Sequence, residues 1–144
     1  FEVIHILELL DQLVREGRIK TKSELDQRRV TFHDPCQIVR RGGIVDEPRN
    51  LLHMVSDNFI EMENYGVANI CCGGGGGVSS NSRAEELRIK SFGAKKKQLD
   101  AVGPEALVTA CGNCRNVLEE AIDEFGMDLP VLGLTELVAE YLDD

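Results

Sequence analysis

The chain has 144 residues, 42% of them hydrophobic and 28% charged, which is the size and composition of one globular domain and excludes a disordered tail. Its formal net charge of -9 argues against a nucleic-acid partner, because such a partner would favour a basic surface. No apolar run approaches the roughly 20 residues that a membrane-spanning helix needs, so we expect no direct membrane insertion.

The first half of the chain predicts helices and strands in alternation. Apolar residues at helical spacing over residues 2–16 predict an amphipathic helix. The short apolar run 29–32 predicts a first strand, and a loop is expected after it. Pro48 suits the start of a helix that continues to residue 63, and the run 67–70 predicts a second strand.

The second half of the chain continues this alternation. Ser82 and Glu85 form a capping-box pattern at the start of a predicted helix over residues 83–102. The remaining predicted elements are two strands and two helices, which alternate along the chain at 106–110, 115–125, 130–134 and 135–142.

Strands that alternate with helices are typical of an α/β domain, here with about four mostly parallel strands. We expect residues 1–29 to form an N-terminal amphipathic helix and connector, and residues 30–144 to form a cysteine-rich domain. Parallel sheets bind ligands beyond the carboxyl ends of their strands, which is where we expect a metal site. The sequence starts at Phe1 within a helical pattern and without Met, so we expect a C-terminal fragment of a longer protein.

All five cysteines follow predicted strands. Cys36 follows the first strand, Cys71 and Cys72 follow the second, and Cys111 and Cys114 follow the third. Clustered cysteines in a reducing compartment are more often metal ligands or catalytic thiols than disulfides. Because the carboxyl ends of parallel strands meet at one edge of a sheet, we expect the five thiols to share one site.

Several chemistries fit these thiols. A single free cysteine is often only a small buried apolar residue. Cys111 and Cys114, between a strand and a helix, would suit a dithiol redox pair, but that leaves three cysteines without a role. Four thiols could hold a zinc ion, although the adjacent side chains of Cys71 and Cys72 diverge along an extended backbone. In an iron–sulfur cluster these two could ligate different irons.

Five consecutive glycines follow Cys72. Such a run costs much backbone entropy on folding, so the loop is expected to have a function. Residues 73–80 fit no G-x-G-x-x-G register, and no Gly-Lys-Ser/Thr follows, which argues against a phosphate-binding loop. We interpret the run as a cradle that brings backbone N–H groups close to a cluster, with Gly73 and Gly74 as cofactor-binding residues.

Four motifs, HDPC (33–36), EPR (47–49), CCGGGGG (71–77) and CGNCR (111–115), resemble those of the CCG-type cysteine-rich domain of heterodisulfide reductase catalytic subunits and their relatives. In that family a cysteine, a CCG sequence and a CxxC sequence follow one another at similar intervals. Here 34 residues separate the first cysteine from CCG, and 38 separate CC from CxxC. The resemblance covers the whole chain, and the HDPCQIVRRGG form is most similar to the branch found in sulfite-reduction-associated membrane complexes.

The resemblance implies an iron–sulfur oxidoreductase module of anaerobic energy metabolism, which reduces a disulfide-type substrate or relays electrons. It implies partners of three kinds: other domains of the same subunit that carry cubane clusters, a membrane redox subunit, and a small thiol or persulfide carrier protein. The implied location is cytoplasmic, peripheral at the membrane face through partner subunits. The implied ligands of one noncubane [4Fe-4S] cluster are Cys36, Cys71, Cys72, Cys111 and Cys114.

Two other functions stay open at this point. One is a zinc-binding domain for structure or for the docking of other subunits, and the other is a small dithiol oxidoreductase that uses only the CxxC cysteines. The catalytic residue is unknown. His33 is a weak candidate as a proton donor to a leaving thiolate, but we favour a role in which its side chain supports its loop by a hydrogen bond.

Other polar residues near the cysteines have two interpretations each. Arg40, Arg41 and Arg115 could offset the charge of a cluster or meet an anionic substrate, but arginines near loops are usually solvated. Asn113 is interpreted as a residue that tolerates a turn within CxxC. The lysine run 95–97 is predicted to be a solvated helix face.

Overall fold

The computed structural model describes residues 1 and 3–143, and a parallel three-stranded sheet lies at its centre. The strands are β1 (Val30–His33), β2 (Ala106–Thr109) and β3 (Val131–Gly133). They are arranged in the order β1-β2-β3, so β2 pairs in parallel with both neighbours. The α/β fold class predicted from the sequence is confirmed.

Five α-helices surround the sheet. None of those in the described part of the chain is long and apolar enough to cross a membrane. The helices are α1 (Ile6–Arg15), α2 (Asp46–Val55), α3 (Glu85–Val102), α4 (Gly112–Glu124) and α5 (Leu134–Glu140).

The two faces of the sheet carry separate cores, because successive side chains of a strand point to opposite sides. On the side of Val30, Phe32 and Val108, which we call the apolar face, the sheet packs against α1, α2 and α5. On the side of Leu107 and Val131, which we call the cysteine face, it packs against α3 and α4. The core of the cysteine face also contains the buried cysteines 72 and 114.

The first helix is shorter than the predicted range 2–16. It begins at Ile6 because His5 is its N-cap: the ring Nδ1 accepts a hydrogen bond from the Leu7 N–H at 3.2 Å. Glu8 completes a capping box by accepting from the His5 N–H at 2.8 Å. Residue 2, where the helix was predicted to start, lies outside the described residues.

The predicted strand at 67–70 is wrong. Residues Gly66–Ala68 form a 3-10 turn, for which Gly66 adopts a φ of +57°. The carbonyl groups of Val67 and Asn69 accept hydrogen bonds from the Arg40 guanidinium, so they are not available for a strand ladder.

Other helix boundaries also differ from the predictions. The second helix begins at Asp46 and ends at Val55 rather than at residue 63, because the Ser56 hydroxyl accepts from the Asn58 N–H and starts a turn. Asn81, not Ser82, is the side chain that caps the turn ahead of α3, where it accepts from the Arg83 N–H. The fourth helix begins within CGNC, three residues earlier than predicted. A π-helical turn, Gln37–Arg41, replaces the loop expected after the first cysteine.

Candidate metal centre

The five cysteines lie in three separate segments of the chain. Cys36 follows β1, Cys71 and Cys72 precede the glycine loop, and Cys111 is the N-cap of α4, whose first turn contains Cys114. All five are free thiols. The sulfurs of Cys72 and Cys114, which belong to two different segments, lie 3.4 Å apart.

The two buried sulfurs shift each other's pKa in opposite directions. The hydrogen bond from Cys114 lowers the pKa of Cys72 to about 4, which outweighs the opposing effect of burial, and the nearby His33 and the Gly74 N–H act in the same direction. The same hydrogen bond raises the pKa of Cys114, and burial adds to that effect. Metals bind the thiolate form of cysteine, so the lowered pKa of Cys72 favours it as a ligand.

Cys71 connects this pair to Cys36. Burial raises the pKa of Cys71, and the neighbouring sulfurs of Cys72 and Cys36 raise it further, although the Gly73 N–H opposes them. Mutual repulsion between thiolates is the interaction that a bound cation relieves. Adjacent Cys71 and Cys72 also face different surroundings, since the first is exposed and the second is buried.

The first two glycines of the loop contact both the sulfurs and the helices. The N–H groups of Gly73 and Gly74 donate to the sulfurs of Cys71 and Cys72 at 3.4 and 3.5 Å. A Cβ on Gly74 would lie 2.6 Å from Cγ2 of Val117, so only glycine fits this close approach to α4. The remaining three glycines have open space around them.

An ion-pair network joins the HDPC and EPR motifs. Asp34 is buried, and its two carboxylate oxygens each accept from the Arg49 guanidinium at 2.9 Å. The same carboxylate accepts from the Gly66 N–H at 2.7 Å, and Arg49 also donates to Glu61 at 2.5 Å. The turn that carries the first cysteine is thus fixed to α2 and to the segment that leads into CCG.

Of the three arginines considered in the sequence, Arg41 is exposed, whereas Arg40 and Arg115 are engaged with protein groups. Arg40 links the turn after the first cysteine to the segment before the second, through the Val67 carbonyl at 2.9 Å and the Asn69 carbonyl. Arg115 forms ion pairs with Glu119 and Glu136 at 3.0 and 2.8 Å. Neither side chain is freely solvated, and Arg40 positions the site.

Two interpretations of polar residues are corrected by the structure. Asn113 does not serve a turn: it lies in the first turn of α4, and its Nδ2 donates to the Gly74 carbonyl at 3.2 Å. Of the lysine run 95–97, Lys97 is exposed, but Lys95 is fully buried. The apolar residues three positions before it and four positions after it, Phe92 and Leu99, are the signal that would have placed Lys95 on the inner face of the helix.

His33 faces the sulfurs. Its side chain is buried, and neither ring nitrogen has a hydrogen-bond partner among the residues that the structure describes. The predicted loop-supporting hydrogen bond is therefore not formed. Instead a ring nitrogen of His33 and the sulfurs of Cys72 and Cys114 all lie within 4.8 Å of one another. Burial lowers the pKa of His33, so the ring is neutral near pH 7 and can offer a lone pair or an N–H group.

Comparison with known proteins agrees with this arrangement. Residues 30–119 match the family described as "CCG: Cysteine-rich domain". The chain belongs to this family. The match contains all five cysteines and both glycines that contact them, so the family resemblance expected from the four motifs is confirmed.

Named relatives of this CCG domain are components of oxidoreductases. The chain is 35% identical to a protein of the dihydromethanophenazine:CoB–CoM heterodisulfide reductase of Methanosarcina mazei, over 99% of this chain and 34% of that protein. It is 33% identical to a protein of the fumarate reductase (CoM/CoB) of Methanothermobacter marburgensis, over 99% and 28%. It is 30% identical to an iron-sulfur subunit of the Hdr-like menaquinol oxidoreductase of Archaeoglobus fulgidus, over 96% and 26%. The chain thus spans about a third or less of these relatives.

Proposed function

We propose that this CCG domain binds an iron–sulfur cluster through its five cysteines and acts as the redox module of a heterodisulfide-reductase-like oxidoreductase. The observation that supports the proposal is the pair of buried sulfurs of Cys72 and Cys114, 3.4 Å apart, next to two backbone N–H groups that donate to the sulfurs of Cys71 and Cys72. Thiolates are the preferred ligands of iron–sulfur clusters, and hydrogen bonds to sulfur adjust their potentials.

The donor set fits a cluster with several irons better than a single ion. Cys71 is exposed and Cys72 is buried, so adjacent thiols reach opposite sides of the site and would ligate different irons. We infer that the cluster is of the noncubane [4Fe-4S] type, with Cys36, Cys111 and Cys114 as the remaining ligands. When bound, the cluster would supply one-electron redox chemistry at its irons.

The chain's own residues would fix and shield the bound group. Gly73 and Gly74 supply N–H donors to the ligand sulfurs, and the neutral ring of His33 lies against the buried side. The Asp34–Arg49 ion pair holds the first cysteine against the segment that carries the next two. These contacts define the geometry and exclude water from the inner half of the site.

Substrate would approach from the open side, which we infer from the exposure of Cys71 and from a cleft beside Cys111. The cleft has a volume of about 130 Å³ and lies at the carboxyl ends of β2 and β3, where Arg115 and Thr135 line it. A disulfide-type substrate is proposed because a relative is named for heterodisulfide reduction. An electron relay without a substrate of its own is the other use of the same site, as in an iron-sulfur subunit of a menaquinol oxidoreductase.

The partners belong to the proposal as well. Because the chain spans a third of its relatives, we propose that it receives electrons from cubane-cluster domains of a longer polypeptide. The next partner in electron transfer would be a membrane redox subunit, or a small thiol or persulfide carrier protein. This places the module at the cytoplasmic face of a membrane, held there by other subunits.

A zinc site is the second candidate, favoured by the compact group of His33, Cys72 and Cys114. The iron, zinc and acid-labile sulfide contents of the anaerobically prepared chain distinguish the cluster from the zinc site. EPR spectra of the oxidised chain are then recorded with and without an added thiol. About four irons with matching sulfide, and a paramagnetic signal that the thiol changes, are expected for the cluster. One zinc without sulfide, unchanged by reconstitution with iron and sulfide, would contradict it.

A further inference from the structure

Lys95 is a fully buried lysine on the cysteine face. It lies on the inner side of α3, between Phe92 and Leu99, which belong to the same core cluster as the buried cysteines 72 and 114. Residues three and four positions apart share one face of a helix, so the lysine side chain enters this core together with its apolar neighbours.

The Lys95 ammonium has no hydrogen-bond partner among the described residues. The other buried cation, Arg88, behaves differently, because its guanidinium forms an ion pair with Glu120 at 2.5 Å. A buried charge is costly unless it is paired, so an ammonium without a partner indicates that something in the functional protein pairs with it.

Nearby protein groups do not supply that pairing. Both carboxylate oxygens of Asp34 are engaged by Arg49, and one of them also accepts from the Gly66 N–H. Burial lowers the pKa of Lys95 to about 8, while negative charge on Asp34 and on the cysteine sulfurs opposes this effect. The sulfurs are therefore the anionic groups that remain for the ammonium.

We propose that Lys95 is the counter-charge of the bound cluster, placed beneath the cysteine site to stabilise its anionic, reduced state. The inference deepens the proposed function and rests on it. The thiolate ligands and the sulfides together carry more negative charge than the irons carry positive charge, so the site would be anionic, and reduction adds one further negative charge. A fixed positive charge in a medium of low dielectric constant favours the more negative state, so it raises the reduction potential. Lys95 does not act on substrate and is a positioning residue.

This role predicts opposite effects of Lys95 in the metal-free and the loaded chain. Without the cluster the buried ammonium destabilises the fold, and with the cluster it stabilises the reduced state. A lysine that served only to fill space would change the stability of both forms in the same direction and would not move the potential.

The test compares Lys95→Met and Lys95→Arg with Lys97→Met, which makes the same change on the exposed side of the same helix. The readouts are the midpoint potential of the reconstituted cluster and the urea midpoint of the metal-free chain. Lys95→Met should lower the ratio of reduced to oxidised cluster at least tenfold, a shift of about 59 mV for one electron. It should also raise the urea midpoint of the metal-free chain. Lys95→Arg should keep the potential, and Lys97→Met should change neither quantity.

Failure of the inference and failure of the proposed function give different results. A Lys95→Met chain that loads fully and keeps the wild-type potential overturns the inference and leaves the proposed function intact. A Lys95→Met chain that is less stable than wild type without metal also overturns it. A wild-type chain that takes up no iron and sulfide overturns the proposed function, and the inference with it.

Discussion

The two faces of the central sheet differ in the kind of side chain that they bury. The apolar face is closed by α1, α2 and α5 around fully buried side chains such as Phe32 and Leu52. On the cysteine face, Thr31, His33 and Lys95 carry buried polar atoms that have no partner within the described chain. In folded proteins most buried polar groups are paired, so these unpaired groups point to a bound group that completes the cysteine face.

One face of this small domain therefore contributes mainly to the stability of the fold, and the other face carries the groups that could bind a metal. The apolar face needs no ligand, because hydrophobic burial alone stabilises it. The cysteine face contains thiols, backbone donors and a buried cation, and we propose that their arrangement becomes favourable around an anionic metal–sulfur group. Substitutions on the apolar face should therefore change folding alone, whereas those on the cysteine face should change what the chain binds.

Removal of a buried thiol should have the largest effect. Cys72→Ser deletes one of the proposed ligands and the sulfur that pairs with Cys114, so we expect iron content to fall at least about tenfold after reconstitution. The measurement is iron and sulfide per chain. Ser80→Ala, an exposed change in the same loop, is the control and should load like wild type. Full iron content in Cys72→Ser would remove this cysteine from the ligand set.

Loss of the ion pair that connects the two faces should come next. Arg49→Met leaves the buried carboxylate of Asp34 without its partner, which costs about 3–5 kcal/mol of unfolding free energy. Urea denaturation of the metal-free chain measures this cost. Arg18→Met breaks an exposed pair with Glu16 and should leave the urea midpoint unchanged. Equal midpoints for the two variants would show that the network does not hold the fold.

A cavity in the apolar face should lower stability without changing the metal site. Leu52 is fully buried there, and Leu52→Ala should cost about 2–5 kcal/mol in urea denaturation. The midpoint potential of the loaded chain should stay at the wild-type value. Leu87→Ala, which changes an exposed leucine of α3, should alter neither quantity. A shifted potential in Leu52→Ala would mean that the two faces are not independent.

We expect the smallest effect in the glycine loop, where Gly74 and Gly75 differ in how closely the rest of the chain approaches them. Gly74→Ala places a Cβ 2.6 Å from Cγ2 of Val117, so the loop must shift, at a cost of about 1–3 kcal/mol and with less iron bound. Gly75→Ala meets open space one residue later and should behave like wild type. The iron content and the urea midpoint of the two variants test this expected difference. Indistinguishable variants would mean that close contact with α4 is not the reason for glycine at position 74.

Much of the fold was predictable because its signals are local. The strand residues of β1, β2 and β3 form short apolar runs between turn-forming residues, and the apolar spacing within 115–125 is clearly helical. The placement of Cys36, Cys111 and Cys114 was predictable for a different reason, since residues that follow parallel strands lie at one edge of the sheet. This reason does not cover Cys71 and Cys72, because the strand predicted before them is not formed.

The errors arose where distant contacts decide the structure. The run 67–70 has strand-like residues, but Arg40 donates hydrogen bonds to two of its carbonyl groups. Arg40 lies 27 positions before Val67 in the sequence, so this contact is not visible in the local pattern. Lys95 lies in a run of three lysines within a helix that carries charges on several sides, so the composition does not indicate which lysine is buried. Its burial follows from packing against the cysteine face, for which the helical spacing of Phe92 and Leu99 around it is the local signal.

The central claim is that five cysteines hold one bound group together, and native alkylation with mass spectrometry tests it most directly. The reconstituted chain and the metal-free chain are treated with the same thiol reagent, and protection is read at each cysteine. The account predicts that all five are protected in the loaded chain, whereas exposed Cys71 and the partly exposed Cys36 and Cys111 react in the metal-free chain. Rapid modification of Cys36 or Cys71 in the loaded chain would contradict a shared five-cysteine site.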